Sequence, residues 1–236
     1  MRDKPSSVAD MRRGLRDGEV KTFTREIEPT GSEPAFYYVG QSGEYSESPI
    51  WVGGPPLEAK PTVEAYGRPR RSLAGYANLE FRFRGTQEQI ADINRVGVGL
   101  YFISQRVHRL LRSRGENSYE STDCLVRFTD GSESHEWLLI LPSRVIEAID
   151  LNKTTVIAQR LEITPGSGLF TTQSYFPSGV VFRDDLYPEI QTFVDQYEPY
   201  WFWRKDLVVA AVDAGVRGLL AALSVKNGLH QSDIRS

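Results

Sequence analysis

The pattern of hydrophobic and polar residues before residue 98 predicts short strands. Leu79, Phe81 and Phe83 alternate with Glu80 and Arg82, which is typical of a strand with one buried face. Glycines and prolines interrupt the rest of this part so often that only short strands and long loops fit between them. The predicted strands are 21–27, 36–39 and 78–84.

Helical spacing of apolar residues begins at residue 86. Thr86 is placed to cap a helix that carries Ile90, Ile93 and Val96. Ser104 is likewise placed to cap a second helix, which carries an apolar stripe and is expected to end at Gly115. Similar spacing follows Pro142 and Lys205. The four predicted helices are 86–96, 105–114, 142–149 and 205–214.

Further apolar runs in the later chain predict more strands. Asp130 and Gly131 form a hairpin signal, so the runs on either side are expected to pair antiparallel. The predicted strands are 100–103, 122–128, 135–141, 154–163, 180–182 and 216–223. We therefore predict an α+β fold, with a β-rich N-terminal part and a C-terminal mixed sheet flanked by short helices. The predicted divisions are a partly ordered lead-in at 1–20, a β-rich subdomain at 21–97, an α+β domain at 98–223 and a frayed tail at 224–236.

Composition and charge exclude several classes of protein. The 236 residues include one cysteine, so an internal disulfide and a cysteine-based zinc site are both excluded. A net charge of -3 argues against broad binding to a nucleic-acid backbone. The first twenty residues lack the apolar core of a signal peptide, and the chain has no run of about 18 apolar residues. We therefore expect a cytoplasmic protein that binds neither a membrane nor nucleic acid.

Chemically reactive residues do not form a recognisable set. The three histidines, His108, His135 and His230, are not at the spacing of metal ligands. Cys124 alternates with apolar residues, which indicates a core position rather than a nucleophile. The glycines around Ser167 lack the spacing of a hydrolase motif. We therefore predict no catalytic residue, no metal and no cofactor.

The segment from residue 182 to residue 203 combines acidic and aromatic residues. Five acids accompany one arginine, and tyrosine, phenylalanine and tryptophan lie between them. Carboxylates attract a basic partner, and tyrosine and tryptophan are common in interface hot spots. An alternative interpretation places Phe193, Trp201 and Trp203 in the core, with the acids on their solvated side. The predicted partner-binding residues are Asp184, Asp185, Tyr187, Glu189, Asp195, Tyr197, Glu198 and Tyr200.

Four short motifs occur in a characteristic order along the chain. They are Ile-Ser-Gln-Arg at 103–106, Val-Ile-Glu-Ala-Ile-Asp at 145–150, Val-Phe-Arg at 181–183 and Ala-Gly-Val-Arg-Gly-Leu at 214–219. In this order they resemble an immunity-protein family of bacterial polymorphic toxin systems, the family numbered eleven in that series. The resemblance covers residues 98–223.

This resemblance implies a non-catalytic protein that binds a cognate protein toxin tightly and covers its active site or substrate groove. It also implies that the toxin is encoded next to the protein, which stays in the cytoplasm of the producing cell. Many such toxins are basic, which suits an acidic and aromatic segment.

Two other functions stay open from the residues alone. A hydrolase with paired carboxylates would use Glu133, Glu136, or Asp184 with Asp185. A chaperone or adaptor for a secreted effector would bind its partner without neutralising it. The sequence does not indicate an oligomeric state.

Overall fold

The computed structural model describes most of the chain. The described residues are 15–23, 36–41, 49–53, 72–74, 76, 79–97, 99–162, 168, 170–175, 180–186, 189–195, 200–222 and 228–229.

Strands dominate these residues. The strands are β1 Val20–Phe23, β2 Phe36–Gln41, β3 Ile50–Gly53, β4 Leu79–Phe83, β5 Ile93–Gly97, β6 Leu100–Ser104, β7 Tyr119–Phe128, β8 Glu133–Pro142, β9 Val145–Ile146, β10 Val156–Glu162, β11 Phe170–Tyr175, β12 Thr192–Asp195, β13 Trp201–Arg204, β14 Leu219–Ala222 and β15 Gly228–Leu229. The helices are α1 Gln105–Ser113 and α2 Lys205–Asp213.

In the described part of the chain, the strands form three sheets. One has the order β1-β10-β11, the second β15-β14-β2-β13-β12-β9, and the third β3-β4-β7-β8-β6-β5. Both six-stranded sheets are mixed, because β9 runs parallel to β12 and β4 runs parallel to β7. The prediction of a β-rich α+β fold with short helices is confirmed.

Each sheet joins strands from before and after residue 98. Strand β1 pairs with β10, β2 pairs with β13 and β14, and β4 pairs with β7. The predicted boundary at residue 98 therefore divides the sequence and not the sheets. At the other end, β15 pairs with β14 inside the segment that we expected to be frayed.

Helix α1 begins as the sequence predicts. The Ser104 hydroxyl accepts a hydrogen bond from the Val107 N–H at 3.4 Å, so the side chain caps the helix. The helix ends at Ser113, and Gly115 follows with a φ of 72°, a conformation that favours glycine. Helix α2 and the hairpin between β7 and β8 are also confirmed.

The predicted helix at 86–96 is wrong. Turns lead into β5, which pairs antiparallel with the apolar strand β6. Asn94 is fully buried there, and its side-chain amide donates to the Ala91 carbonyl at 2.7 Å. The three-residue spacing of Ile90 and Ile93 is compatible with a turn followed by a strand, and pairing with β6 decides between the two structures.

The predicted helix at 142–149 is also wrong. Residues 145 and 146 form β9, and Ile149 makes an isolated antiparallel bridge to Phe182. The backbone N–H groups of Ala148 and Ile149 donate to the Asp195 carboxylate at 2.8 and 3.3 Å. These donors are therefore satisfied by a distant side chain and not by helix carbonyls.

Strand β13 is buried on both faces. Trp201 and Trp203 are fully buried in the main core, which joins the two six-stranded sheets to both helices. Phe202 points the other way into a second group of buried residues, which we call the aromatic cluster. Its buried members are Phe36, Tyr38, Ala148, Ile190, Phe193 and Phe202.

Three buried carboxylates tie distant segments together by accepting backbone N–H groups. Asp92 accepts from Arg217 at 2.7 Å, and Glu116 accepts from Thr192 at 3.0 Å. Asp195 accepts from the two donors described above. Each carboxylate is at most 2% exposed, so these bonds form away from water and their loss leaves unpaired groups in the core.

Asp195→Ala tests this structural role. The change leaves two buried N–H groups without their acceptor, so we expect the free energy of unfolding to fall by about 2–4 kcal/mol. Urea titration followed by tryptophan fluorescence measures the loss. The control is Asp184→Ala in the same segment, because that side chain is 87% exposed and its removal should leave stability nearly unchanged. Equal stability of the two variants would contradict the role of Asp195.

Cys124 provides a second test of the core. The side chain is 1% exposed, and burial raises the pKa of its thiol to about 12. At pH 8 the thiolate fraction is then roughly a thousandfold below that of a thiol with the ordinary pKa. We expect iodoacetamide to label the folded protein at least that much more slowly than the protein in guanidinium chloride. Comparable labelling rates would show that the thiol is accessible.

Candidate functional site

The aromatic residues of the acid-rich segment lie mainly in the core. Phe193, Trp201 and Trp203 are fully buried, which confirms the core alternative for these rings. Phe182 is half-buried and contacts Phe202 edge-on, with ring centroids 5.1 Å apart. The surface of this region therefore depends on the acids and on the partly buried rings.

Three of the predicted partner-binding acids are exposed. The side chains of Asp184 and Asp185 are 87% and 67% exposed, and Glu189 is exposed as well. Tyr187, Tyr197 and Glu198 lie outside the described residues.

The prediction that Asp195 binds a partner is wrong. Its side chain is fully buried and holds the backbone of residues 148 and 149. Strand β12 is buried on both faces, so alternation along the sequence does not turn Asp195 towards solvent.

Asp184 and Asp185 lie in a group of opposite charges. Lys153 contacts Asp184 at 2.7 Å, and Arg183 contacts Asp185 at 2.6 Å. The hydrogen bond from Arg183 lowers the pKa of Asp185 below its ordinary value, and the hydrogen bond to Asp184 raises the pKa of Lys153. Asp185 therefore stays ionised well below neutral pH.

Acids outnumber bases in this group. The hydrogen bond to Asp185 raises the pKa of Arg183, and the charges of Glu147 and Asp150 add to this effect. We define the acidic patch as the four carboxylates and two cations of this group, together with the exposed Glu189 of the same acid-rich segment: Glu147, Asp150, Asp184, Asp185, Glu189, Lys153 and Arg183. The excess of three carboxylates makes this surface negative.

An apolar border adjoins the acidic patch. It consists of partly buried side chains that pack on the aromatic cluster, and we call it the apolar rim. Its members are Ile146, Val180, Phe182, Leu186 and Tyr200. Phe182 and Leu186 directly flank the charged residues 183–185, so apolar and acidic side chains alternate along the same stretch of chain.

Tyr200 ends the apolar rim beside a cation that sequence reasoning missed. Its half-buried ring lies edge-on to Tyr38, with centroids 4.6 Å apart. The guanidinium carbon of Arg95 lies 4.3 Å from the centroid of the same ring. Sequence reasoning missed this contact because it predicted a helix at 86–96. In the structure Arg95 belongs to strand β5, which places it beside Tyr200.

A polar cavity of about 390 Å³ lies near the start of α1. Its lining includes Glu136, which the hydrolase alternative names, with Glu88 and Asp92. The Asp92 carboxylate already accepts from the Arg217 backbone. Glu133 lies elsewhere, in an ion pair with Arg127.

Neither of the two histidines in the described part of the chain lines this cavity. His108 lies on α1, where burial lowers the pKa of its imidazole, and His135 is exposed. Within the described ranges, no group of three or more histidine, cysteine, aspartate or glutamate side chains has the geometry to hold a metal ion. His230 lies outside those ranges. Neither α1 nor α2, the helices of the described part, combines the length and apolarity needed to cross a membrane.

Comparison with known proteins identifies a family for the chain. A search of curated proteins finds no match. The model of the Immunity protein family (Imm11) matches residues 36–220, which is most of the chain and reaches back to β2. The match extends further towards the N-terminus than the motifs do, in agreement with sheets that combine strands from both sides of residue 98. The family prediction is confirmed, and the chain belongs to the Imm11 immunity protein family.

Proposed function

We propose that this protein neutralises a cognate bacterial toxin by binding it, without catalysing a reaction. Membership of the Imm11 family supports a role in toxin immunity. We further propose that the toxin is encoded next to the protein, and that the two meet in the cytoplasm of the producing cell. The complex then covers the active site or substrate groove of the toxin.

The observation that carries this proposal is the acidic patch beside the apolar rim. Asp184 and Asp185 present their carboxylates to solvent, and the neighbouring Phe182 and Leu186 supply partly exposed apolar area. Charge around an apolar centre is the usual composition of a protein interface. The excess of carboxylates favours a basic partner surface.

The two features act at different distances. Carboxylates attract a basic toxin over roughly one Debye length, about 8 Å at physiological salt, and so increase the association rate. The apolar rim acts only after contact, when water leaves the interface. A complex of ordinary size would bury about 1,600 Å² in total.

Co-expression with the product of the adjacent gene tests the function. We expect the protein to restore growth of cells that express that product, and to purify with it in a 1:1 complex. The purified complex should lack the toxic activity that the free toxin shows. Cells with the toxin and an empty vector provide the control.

Two results would contradict the proposal. Without binding and without rescue, the protein is not the immunity partner of that toxin. If the complex forms but the bound toxin stays active, the protein is a chaperone or adaptor.

Charge reversal tests the acidic patch. In the triple variant Asp184→Lys, Asp185→Lys and Glu189→Lys, we expect the association rate with the toxin to fall about 10- to 100-fold at low salt, because attraction becomes repulsion. The difference from wild type should shrink in 0.5 M NaCl, where charges are screened. Stopped-flow or surface-binding kinetics at several salt concentrations measure both effects.

The matched control reverses three exposed acids outside the acidic patch. Glu88→Lys, Asp123→Lys and Asp213→Lys change the net charge by the same amount. We expect a much smaller decrease in association rate from this variant. Equal decreases would mean that overall charge, and not the acidic patch, governs association.

A further inference from the structure

Arg95 differs from every other half-buried arginine in the described part of the chain. The other five each contact a carboxylate at 3.4 Å or less. They are Arg127, Arg144, Arg160, Arg204 and Arg217. Arg95 makes no ion pair with any carboxylate among the described residues, and its electrostatic neighbours are the phenols of Tyr38, Tyr101 and Tyr200.

Aromatic rings hold this cation in place. The Arg95 guanidinium lies 4.3 Å from the centroid of the Tyr200 ring, within the range of a cation–π interaction. Its Nε donates to the Gly97 carbonyl at 3.2 Å, across a β-bulge in β5. These contacts orient the side chain through its Nε edge and its planar face.

Tyr38 completes the environment on the side of β2. A Cβ atom at Gly40 would lie 2.4 Å from the Tyr38 hydroxyl, so the phenol occupies the space that glycine leaves open. Burial raises the pKa of Tyr38, and the nearby charge of Arg95 only partly offsets this effect. The phenol therefore stays neutral at physiological pH, and no carboxylate in the described part of the chain pairs with Arg95.

A half-buried cation without a counter-ion is incompletely solvated. Burial removes part of the water around the Arg95 guanidinium, and a cation–π contact provides less stabilisation than a paired carboxylate in the same position. A carboxylate that arrives with a partner protein forms a charge-assisted pair with a pre-oriented guanidinium. Arginine and tyrosine are also the residue types that dominate binding energy at protein interfaces.

We propose that Arg95, framed by Tyr38 and Tyr200, receives an aspartate or glutamate side chain of the toxin. This inference rests on the proposed function, because it assigns a contact within the same interface. Tyr200 belongs both to the apolar rim and to the contact with Arg95, so the cation lies beside the apolar rim.

The acidic patch and Arg95 have different effects on the choice of partner. A generally basic toxin surface satisfies the acidic patch at many positions. An acidic side chain at one position within that surface is far more specific, since a toxin with lysine there would place two cations together. Arg95 therefore selects the cognate toxin among basic ones.

Arg95→Met and Arg95→Lys measure the contribution of this pair. Relative to wild type, we expect the Kd of the toxin complex to rise about 10- to 100-fold for Arg95→Met, chiefly through faster dissociation. Arg95→Lys keeps the charge over Tyr200 and loses the planar fork, so its Kd should lie between the two. The matched control is Arg84→Met, which removes one exposed positive charge from the bend after β4 and should change the Kd less than about 2-fold.

A double-mutant cycle identifies the partner group. Each aspartate and glutamate on the toxin's interface is replaced by alanine and combined with Arg95→Met. At one acidic position, we expect the loss in affinity to match that of Arg95→Met and the combined variants to lose little more. Thermal unfolding of each variant shows that it is folded, and Arg95→Lys provides a folded variant if Arg95→Met is unstable.

The outcomes separate this inference from the proposed function. If wild type does not bind the toxin, both are overturned. If Arg95→Met and Arg95→Lys both bind the toxin as tightly as wild type does, the toxin is the partner but Arg95 is not a contact. If Arg95→Met weakens binding without coupling to any acidic residue of the toxin, the carboxylate contact is wrong.

Discussion

The burial of strand β13 on both faces is the constraint on which the rest of the structure depends. Its two tryptophans fill the main core between the six-stranded sheets, while Phe202 packs into the aromatic cluster on the opposite face. The backbone N–H of Trp201 donates to the Tyr101 hydroxyl at 2.7 Å, which ties this strand to β6 of the other sheet. Because a one-residue shift would exchange the two faces, the register of β13 is strongly specified. That register in turn fixes Tyr200, the residue that precedes the strand and ends the apolar rim.

Local signals in the sequence predicted those elements that are stabilised locally. The cap of α1 depends on Ser104 and Val107, three residues apart, and the hairpin after β7 depends on adjacent turn residues. The two incorrect helices depend instead on distant partners. The backbone N–H groups of residues 148 and 149 donate to a carboxylate 46 or more residues away, and β5 exists because β6 pairs with it. No pattern within either segment encodes these partners.

The dependence on distant partners also explains which surface residues could be predicted from the sequence. Asp184 and Asp195 belong to one acid-rich segment, yet one is 87% exposed and the other is fully buried. Composition describes the segment as a whole and cannot distinguish a solvated acid from one that accepts backbone hydrogen bonds. Arg95 was missed for a related reason: its environment is made by Tyr38 and Tyr200, which are distant in sequence. What distinguishes it, the lack of a carboxylate partner among the residues that the structure describes, is a property of three-dimensional packing.

The arrangement of charge around the apolar rim also constrains how binding energy is distributed. Exposed carboxylates in the acidic patch already have partners in Lys153 and Arg183, so a toxin must compete with these contacts, and each new surface pair adds little affinity. Their main effect is on the rate of encounter, which depends on the local field of the acidic patch rather than on individual pairs. Arg95 has no such competitor among the described residues, and its surroundings are already ordered by Tyr200 and the Gly97 carbonyl. A carboxylate bound there gains a charge-assisted contact in place of weaker hydrogen bonds from Arg95 to neutral phenols. In the proposed complex, the acidic patch therefore increases the association rate, and the single cation Arg95 decreases the dissociation rate.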